Sequence, residues 1–285
     1  MVNFPNPKKS ENLAVVIGLP VKHSLSPLIY NTAFRIDSLN WDFHAVEVSE
    51  GQMEESIEFV RNNNIKGLSV TMPLKEVILP YLDQLTPAAK ELKAVNCVYW
   101  NEGKLIGDNT DGDGFLNSLL SEFGEGISED SFAVLGAGGA ARSIIRSLRE
   151  ADVNEIIVIN RNADRATTAE AIGGSKCRIG SVEDLERCRF VINATSLGMA
   201  GTGNEGLLAV PKENIREHHV VIDLVYNPIT TPLLKEAKTI GARAITGVEM
   251  LIHQAALQYL HWTNIHMQIP EIQRIITSKI SNNSI

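Results

Sequence analysis

Cysteine is scarce in this chain of 285 residues, which contains only three of them. Cys97, Cys177 and Cys188 are an odd number of widely spaced residues without a CxxC pair. Disulfide frameworks and structural zinc sites usually show paired or closely spaced cysteines. The sequence therefore predicts neither a disulfide framework nor a metal site.

A basic excess and long apolar runs are also absent. The formal net charge is −8, whereas proteins that bind nucleic acids usually present a basic face. No apolar run approaches the roughly 18 residues that a membrane-spanning helix needs, and residues 1–12 lack the apolar stretch of a signal peptide. We therefore expect a cytoplasmic protein whose partners include neither nucleic acid nor a membrane.

What the chain does contain is a regular alternation of strand and helix patterns. Apolar residues make up 44% of it and charged residues 21%, which is typical of a globular protein with a substantial core. Strands are predicted over 13–20, 41–48 and 67–72, and a helix is predicted over 26–39 with Ser26 as its N-cap. This alternation predicts an α/β fold with mainly parallel sheets.

Local turn signals and two glycine-containing boundaries complete the outline. Ser49 and Gln52 form a predicted capping box, and a hairpin is predicted to turn at 101–103. The stretch 111–114 and Gly247 are predicted to enclose an inserted domain. We therefore predict two α/β domains: a discontinuous first domain with a mainly parallel sheet, residues 1–111 and 248–285, and a Rossmann-type domain, residues 112–247. The C-terminal helices are expected to return to the first domain.

A glycine-rich turn, LGAGGAAR at 135–142, lies between a predicted strand and a predicted helix. Glycines at such a turn let the backbone approach a pyrophosphate, and the helix N-terminus supplies amide donors. The alternative is a glycine turn that serves only close packing of helix on strand. We predict a dinucleotide site that includes Gly136, Ala137, Gly138, Gly139 and Ala140.

The residues after the next predicted strand indicate which dinucleotide binds. An NAD enzyme usually has a carboxylate there to bind the ribose 2′-hydroxyl. This chain has Asn160, Arg161 and Asn162, followed by Arg165. A charged hydrogen bond from an arginine contributes about 1.5–3 kcal/mol, so the sequence predicts NADP. The alternative for Arg165 is a solvated helix residue.

Two later predicted strands end in polar residues, in NATSLGM at 193–199 and DLVYNP at 223–228. Ligands of open α/β sheets lie at the carboxyl ends of the strands. We therefore predict that Thr195 and Ser196 contact ribose or nicotinamide, with ordinary strand-end polarity as the alternative.

Ser24 and Ser26 stand two residues apart before a predicted helix. In an extended loop, residues with this spacing point the same way, and a helix N-terminus favours an anion. Both hydroxyls could therefore bind one anionic group. The alternative is that Ser26 only caps the helix while Ser24 faces water.

Taken in order, nine motifs resemble the shikimate dehydrogenase family from residue 18 to about residue 262. They are GxPxxHSxSPxxxN, VTxPxKE, AVN, GxNTDGxG, GAGGAAR, NRNxxR, NATxxGM, DLVYNP and GxxMLIxQA. The resemblance implies a substrate carboxylate site at Ser24 and Ser26, and a catalytic lysine at Lys75. It implies further substrate contacts at Thr71, Asn96, Asp111, Tyr226 and Gln254, and cofactor contacts at Leu224 and Gly247.

The resemblance implies reversible, NADPH-dependent reduction of 3-dehydroshikimate to shikimate. Reducing a ketone develops negative charge on its oxygen, so an acid must stand beside it. Lys75 is expected to donate and accept the proton, and Asp111 to orient Lys75 and bind a substrate hydroxyl. The alternatives are a broader quinate/shikimate dehydrogenase using NAD and an NADP-sensing protein without turnover. The enzyme is expected to be a monomer or a homodimer.

Four positions depart from the family pattern. Ser69 stands where the family commonly has Asn, Cys97 where it has Thr, and Tyr30 where it has His. Asn162 stands in place of a Thr. We expect the first three to influence substrate specificity and Asn162 to influence the preference for NADP.

Overall fold

The computed structural model describes residues 2, 4, 5 and 12–281. The chain divides into two compact units: unit 1 is Met1–Thr110 with Ile252–Ile285, and unit 2 is Asp111–Leu251. Unit 2 includes Asp111 and residues 248–251, which the sequence analysis assigned to the first domain. Asp111 is the first residue of a helix of unit 2, which explains its assignment.

Unit 1 is built on a mixed six-stranded sheet in the order β2-β1-β3-β5-β6-β4. Its strands are β1 (Asn12–Gly18), β2 (Trp41–Glu47), β3 (Gly67–Val70), β4 (Gln84–Leu85), β5 (Cys97–Asn101) and β6 (Lys104–Asp108). The pairs β1–β2, β1–β3 and β4–β6 are parallel, and β5 pairs antiparallel with both neighbours. Residues 13–18 of β1 are all buried, as expected for a strand covered on both faces.

The helices of the first part of unit 1 are α1 (Ser26–Ile36), α2 (Met53–Asn62), α3 (Leu74–Val77) and α4 (Pro87–Leu92). The prediction that Ser26 caps α1 was wrong: Leu25 is the N-cap, and Ser26 is the first helical residue. The helical hydrogen bonds begin one residue earlier than predicted, since the Ile29 N–H donates to the Leu25 oxygen at 3.0 Å. The Ser24 hydroxyl, one residue before the cap, accepts the Ser26 N–H at 3.2 Å.

Both predicted turn signals of unit 1 are confirmed. Ser49 and Gln52 form the capping box, which opens a short 3₁₀ turn that leads into α2. The hairpin joins β5 to β6 antiparallel, with Glu102 and Gly103 in the left-handed region at φ values of 48° and 75°. Glycine tolerates this region without steric cost, so its place in the turn follows from backbone sterics.

Unit 2 is built on a fully parallel six-stranded sheet in the order β12-β11-β10-β7-β8-β9. Its strands are β7 (Ser131–Leu135), β8 (Glu155–Ile159), β9 (Cys177–Ile179), β10 (Phe190–Asn193), β11 (Val220–Asp223) and β12 (Arg243–Thr246). Its helices are α5 (Asp111–Phe123), α6 (Gly139–Glu150), α7 (Ala163–Gly173) and α8 (Pro232–Ile240). This is the doubly wound order of dinucleotide-binding sheets, with its switch point between β7 and β10.

Two helices end the chain, α9 (Val248–Thr263) and α10 (Ile269–Ser281). The later residues of α9 lie against the unit 1 sheet, where the Trp262 indole donates to the main-chain oxygen of Val98 at 3.1 Å. Gly67 makes this approach feasible, since a Cβ there would collide with the Trp262 ring.

The two sheets together confirm the predicted α/β fold with mainly parallel sheets. Within the described residues, no helix is long and apolar enough to cross a membrane.

Candidate active site

The segments that follow β1 and β3 lie side by side in unit 1. The Thr71 N–H donates to the Ile17 oxygen at 2.9 Å, and the Leu19 N–H donates to the Met72 oxygen at 3.0 Å. Gly18 permits this approach, because an added Cβ would lie 2.9 Å from the Met72 oxygen and against the Thr71 methyl group. Thr71 is thus held at the carboxyl edge of two parallel strands, where ligands of such sheets bind.

Ser24 and Ser26 lie at the N-terminus of α1. The Ser24 side chain is partly exposed, whereas Ser26 is only 5% exposed. Because Ser24 accepts the Ser26 N–H at 3.2 Å, the two serines form one local turn at the positive end of an eleven-residue helix. The two serines lie together near a helix N-terminus, as predicted, but neither of them is the N-cap.

Lys75 lies on the short helix α3, directly after the Thr71 segment, and is partly exposed. Its main-chain oxygen accepts the Val95 N–H at 2.8 Å, and the Val70 N–H donates to the Asn96 oxygen at the same distance. These two bonds join the segment that carries Lys75 to the segment that carries Asn96. Both predicted residues therefore lie near the same end of β3.

Asn96 and Gln254 are in direct contact although they are 158 positions apart in the sequence. The Asn96 amide donates to Gln254 Oε1 at 3.0 Å, and the two side chains are 2% and 7% exposed. The Thr110 N–H donates to Asn96 Oδ1 at 2.7 Å. The structure therefore brings two predicted substrate-binding residues together in unit 1, and it adds Thr110, which we did not predict.

Asp111 and Tyr226 belong to unit 2. Asp111 follows Thr110 in the chain and begins α5, and its side chain is 6% exposed. Tyr226 lies in the loop after β11 and is partly exposed. The expected cooperation of Asp111 with Lys75, which lies in unit 1, stays a prediction.

The glycines of the turn after β7 differ in what surrounds them. Gly136 has a φ of 109°, and a Cβ there would lie 3.1 Å from the Ala194 oxygen, so this glycine is required by the neighbouring loop. At Gly138 and Gly139, by contrast, a Cβ would meet nothing within 4 Å. Backbone conformation and the close approach of the loop after β10 therefore explain Gly136 but not the next two glycines. Open space above the first residues of α6 fits a bound pyrophosphate.

The residues after β8 form an exposed turn. Asn162 caps α7, since its side-chain oxygen accepts the Arg165 N–H at 2.9 Å. The Asn160 side-chain amide donates to the main-chain oxygen of Asn162 at 2.8 Å. Arg161 and Arg165 are exposed, and neither forms an ion pair with another residue that the structure describes. Asn162 is thus an effective cap in place of Thr, and the two guanidinium groups fit a phosphate on the ribose.

The loops after β10 and β11 are held by a carboxylate that we did not predict. Asp223 accepts hydrogen bonds from Asn193 Nδ2 at 2.8 Å, from the Val225 N–H at 3.0 Å and from the Thr231 hydroxyl at 2.6 Å. Burial raises the pKa of Asp223 to about 6, although these hydrogen bonds oppose the shift. A carboxylate at the end of the apolar run VVID was the available signal.

The other predicted cofactor contacts take part in local packing. The Thr195 hydroxyl donates to Asn193 Oδ1 at 2.6 Å and accepts the Leu197 N–H at 3.1 Å, and Ser196 beside it is partly exposed. Gly247 is buried so close to Leu224 that a Cβ would collide with the Leu224 oxygen. Ala137 is buried and Ala140 is partly exposed.

Both parts of the chain that carry the predicted site residues match known protein families. Residues 16–98 match the shikimate dehydrogenase substrate binding domain, and residues 118–232 match shikimate / quinate 5-dehydrogenase. A protein of Bacillus subtilis strain 168 named shikimate dehydrogenase (NADP(+)) is 36% identical over 271 residues, which cover 93% of this chain and 96% of that protein.

Solved structures show the same likeness. Shikimate 5-dehydrogenase from Thermus thermophilus, in complex with NADP(H) and shikimate, is 34% identical with a TM-score of 0.83 over 92% of this chain and 97% of that one. Quinate dehydrogenase from Corynebacterium glutamicum, in complex with NAD, is 25% identical with a TM-score of 0.83. The match covers 94% of this chain and 99% of that one. The predicted resemblance is thus confirmed, and the chain belongs to the shikimate dehydrogenase family.

Proposed function

We propose that this chain catalyses the reversible, NADPH-dependent reduction of 3-dehydroshikimate to shikimate. The observation that carries the proposal is the buried contact between Asn96 and Gln254, beside the strand end that bears Thr71 and Lys75. Amide, hydroxyl and ammonium side chains such as these match a substrate that presents several hydroxyl groups and a carboxylate. The names of the relatives support the same reaction.

The proposed substrate site draws its donors and acceptors from polar side chains and one helix N-terminus. Ser24 and Ser26 bind the carboxylate at the positive end of α1. Thr71, Asn96, Asp111, Tyr226 and Gln254 bind the remaining substrate groups, with roles carried over from the family motifs. Lys75 gives a proton to the ketone oxygen during reduction and takes it back during oxidation, and Asp111 orients the lysine.

In the proposed cofactor site, unit 2 binds NADP. The backbone of 136–140 holds the pyrophosphate at the start of α6, and Arg161 and Arg165 bind the 2′-phosphate beside Asn160 and Asn162. Thr195, Ser196, Leu224 and Gly247 lie at the strand ends that receive the ribose and the nicotinamide. When bound, NADPH supplies the hydride, and the protein supplies orientation and the proton.

The test is a steady-state assay with shikimate and with quinate, each measured with NADP and with NAD. We expect the highest kcat/KM for shikimate with NADP. A preference for quinate with NAD would overturn the proposal. No change in absorbance at the NADPH band at any pH would instead indicate a cofactor sensor.

A broader quinate/shikimate dehydrogenase is the second candidate, because the Corynebacterium glutamicum neighbour is a quinate dehydrogenase in complex with NAD. The turn after β8 speaks against it, since residues 160–163 include no carboxylate to bind the ribose 2′-hydroxyl. We also propose that the enzyme acts in the cytoplasm and that it is a monomer or a homodimer. Light scattering of the purified protein would test the oligomeric state.

A further inference from the structure

Six buried polar side chains form a connected group in unit 1, with Gln258 of α9 at its centre. We call this group the Gln258 network; its members are Tyr30, Ser69, Asn96, Thr110, Gln254 and Gln258. Each of these residues is at most 7% exposed. Asn96 and Gln254 are the members with proposed substrate contacts, so the network continues from those contacts into the core.

The main chain of Asn96 determines how the Gln258 carboxamide is turned. Its carbonyl oxygen lies 3.2 Å from Gln258 Nε2, and a carbonyl can only accept, so the amino group must face it. Gln258 Oε1 therefore faces the hydroxyls of Tyr30 and Ser69, at 2.8 Å and 2.5 Å. Both hydroxyls must donate, and burial raises the pKa of Tyr30, which keeps its proton in place.

The same logic determines the orientation of Gln254. Its Oε1 accepts from Gln258 Nε2 at 2.8 Å and from Asn96 Nδ2 at 3.0 Å. The Asn96 amide is itself oriented, because its Oδ1 accepts the Thr110 N–H at 2.7 Å. Turning the Gln254 carboxamide around would place its amino group against two other N–H donors. Two independent neighbours thus hold its oxygen toward the core.

We propose that Gln258 is a positioning residue for Gln254: it keeps the Gln254 oxygen inward, so that the amino group is the end that donates to an oxygen of the substrate. Tyr30 and Ser69 act one step further back by holding Gln258. This inference rests on the proposed function, since it assumes that Gln254 contacts shikimate.

The network also connects three of the departures from the family pattern. Tyr30 and Ser69 share one acceptor, Gln258 Oε1. Cys97 is the β5 residue paired with Ser69 of β3, and it is completely buried. These positions are distant in the sequence but adjacent in the fold: Tyr30 and Ser69 hold Gln258, and Cys97 lies beside Ser69.

The test is a set of variants assayed for KM toward shikimate and toward NADP. Gln258→Leu keeps a similar volume but removes both hydrogen-bonding groups. We expect its KM for shikimate to rise about tenfold, the equivalent of one good hydrogen bond, while its KM for NADP stays within about twofold. The double variant Tyr30→Phe/Ser69→Ala, which leaves Gln258 intact, should raise the same KM more than the two single variants combined.

Combining substitutions distinguishes a positioning role of Gln258 from a purely structural one. In the Gln258→Leu background, Tyr30→Phe and Ser69→Ala should have no further effect on KM for shikimate. Tyr259→Phe is the matched control: it removes another buried hydroxyl of α9, one that donates to Asp37 at 2.5 Å outside the network. It should lower Tm without changing either KM.

The outcomes distinguish the inference from the proposed function. An unchanged KM for shikimate in both Gln258→Leu and the double variant, with an active wild type, would overturn the inference alone. Equal effects on both KM values, or additive effects in the Gln258→Leu background, would also overturn it. A wild type that does not turn over shikimate would remove the proposed function and this inference with it. If Gln258→Leu does not fold, the double variant decides.

Discussion

Lys75 lies one short turn beyond Thr71, on a helix of four residues that follows the end of β3. As the proposed proton donor, it acts on the transition state more than on bound substrate. We predict that Lys75→Ala lowers kcat by about 10²–10⁴, the usual contribution of a positioned general acid or base, with little change in KM for shikimate. Steady-state kinetics in both directions would measure this.

The matched control for this substitution is Lys90→Ala, which removes an exposed lysine from α4 of the same unit. It should leave kcat and KM unchanged. A Lys75→Ala enzyme with normal kcat and a raised KM would mean that the lysine only binds substrate.

Arg161 is exposed in the turn after β8, where the ribose of a dinucleotide is expected. We predict that Arg161→Ala raises Kd for NADP by about tenfold or more, because a charged hydrogen bond to the 2′-phosphate is lost. Kd for NAD, which has no such phosphate, should change little. Titration calorimetry with both cofactors measures the difference, and equal losses for the two would exclude the phosphate contact.

At the scale of secondary structure elements, Asp223 connects three of them. Its carboxylate accepts from Asn193 at the end of β10 and from Thr231, the N-cap of α8, and it ends β11 itself. Burial raises its pKa from 3.8 to about 6. The folded state therefore keeps the proton over a range in which the unfolded chain has lost it.

This shift predicts how the free energy of unfolding depends on pH. The stabilisation is complete below about pH 4 and is lost as pH rises through about 6, because the charged form is then buried. One pKa unit corresponds to about 1.4 kcal/mol, so wild type should lose about 2–3 kcal/mol relative to Asp223→Asn across this range. Urea unfolding at several pH values measures it.

Asp164→Asn, at an exposed position in the first turn of α7, is the control and should follow the wild-type pH dependence. An Asp223→Asn protein with that same dependence would show that Asp223 does not titrate in this range.

At the scale of the whole molecule, the three cysteines report on the two units separately. Cys97 belongs to unit 1, Cys177 and Cys188 belong to unit 2, and all three are buried. A ligand at a hundred times its Kd stabilises the part that binds it by about 2.7 kcal/mol. We predict that NADP protects the two unit 2 thiols from alkylation in denaturant more than Cys97, and that shikimate, most of whose proposed contacts lie in unit 1, protects Cys97 more than the other two.

Mass spectrometry of alkylated peptides along a denaturant series would measure the protection of each thiol. If either ligand shifted all three midpoints equally, the units would unfold as one, and the prediction would be wrong.

The sequence by itself determined the features whose cause lies within a few neighbouring residues. The capping box of Ser49 and Gln52, the hairpin turn at Gly103 and the glycine turn after β7 follow from backbone sterics and local hydrogen bonds. The error at Ser26 is of the same scale, because the helical hydrogen bonds begin one residue earlier, with the Ile29 N–H donating to the Leu25 oxygen. The alternation of buried strands and amphipathic helices was likewise sufficient for the α/β class.

Only the tertiary structure decided which distant side chains meet. Tyr30 and Gln258 are 228 positions apart and Ser69 and Gln258 are 189 apart, and no local pattern relates them. Asp223 acquires its raised pKa only when the strands around it exclude water. A hydrogen bond or a burial cost depends on what the fold brings within a few ångströms, whereas sequence patterns record only neighbours along the chain.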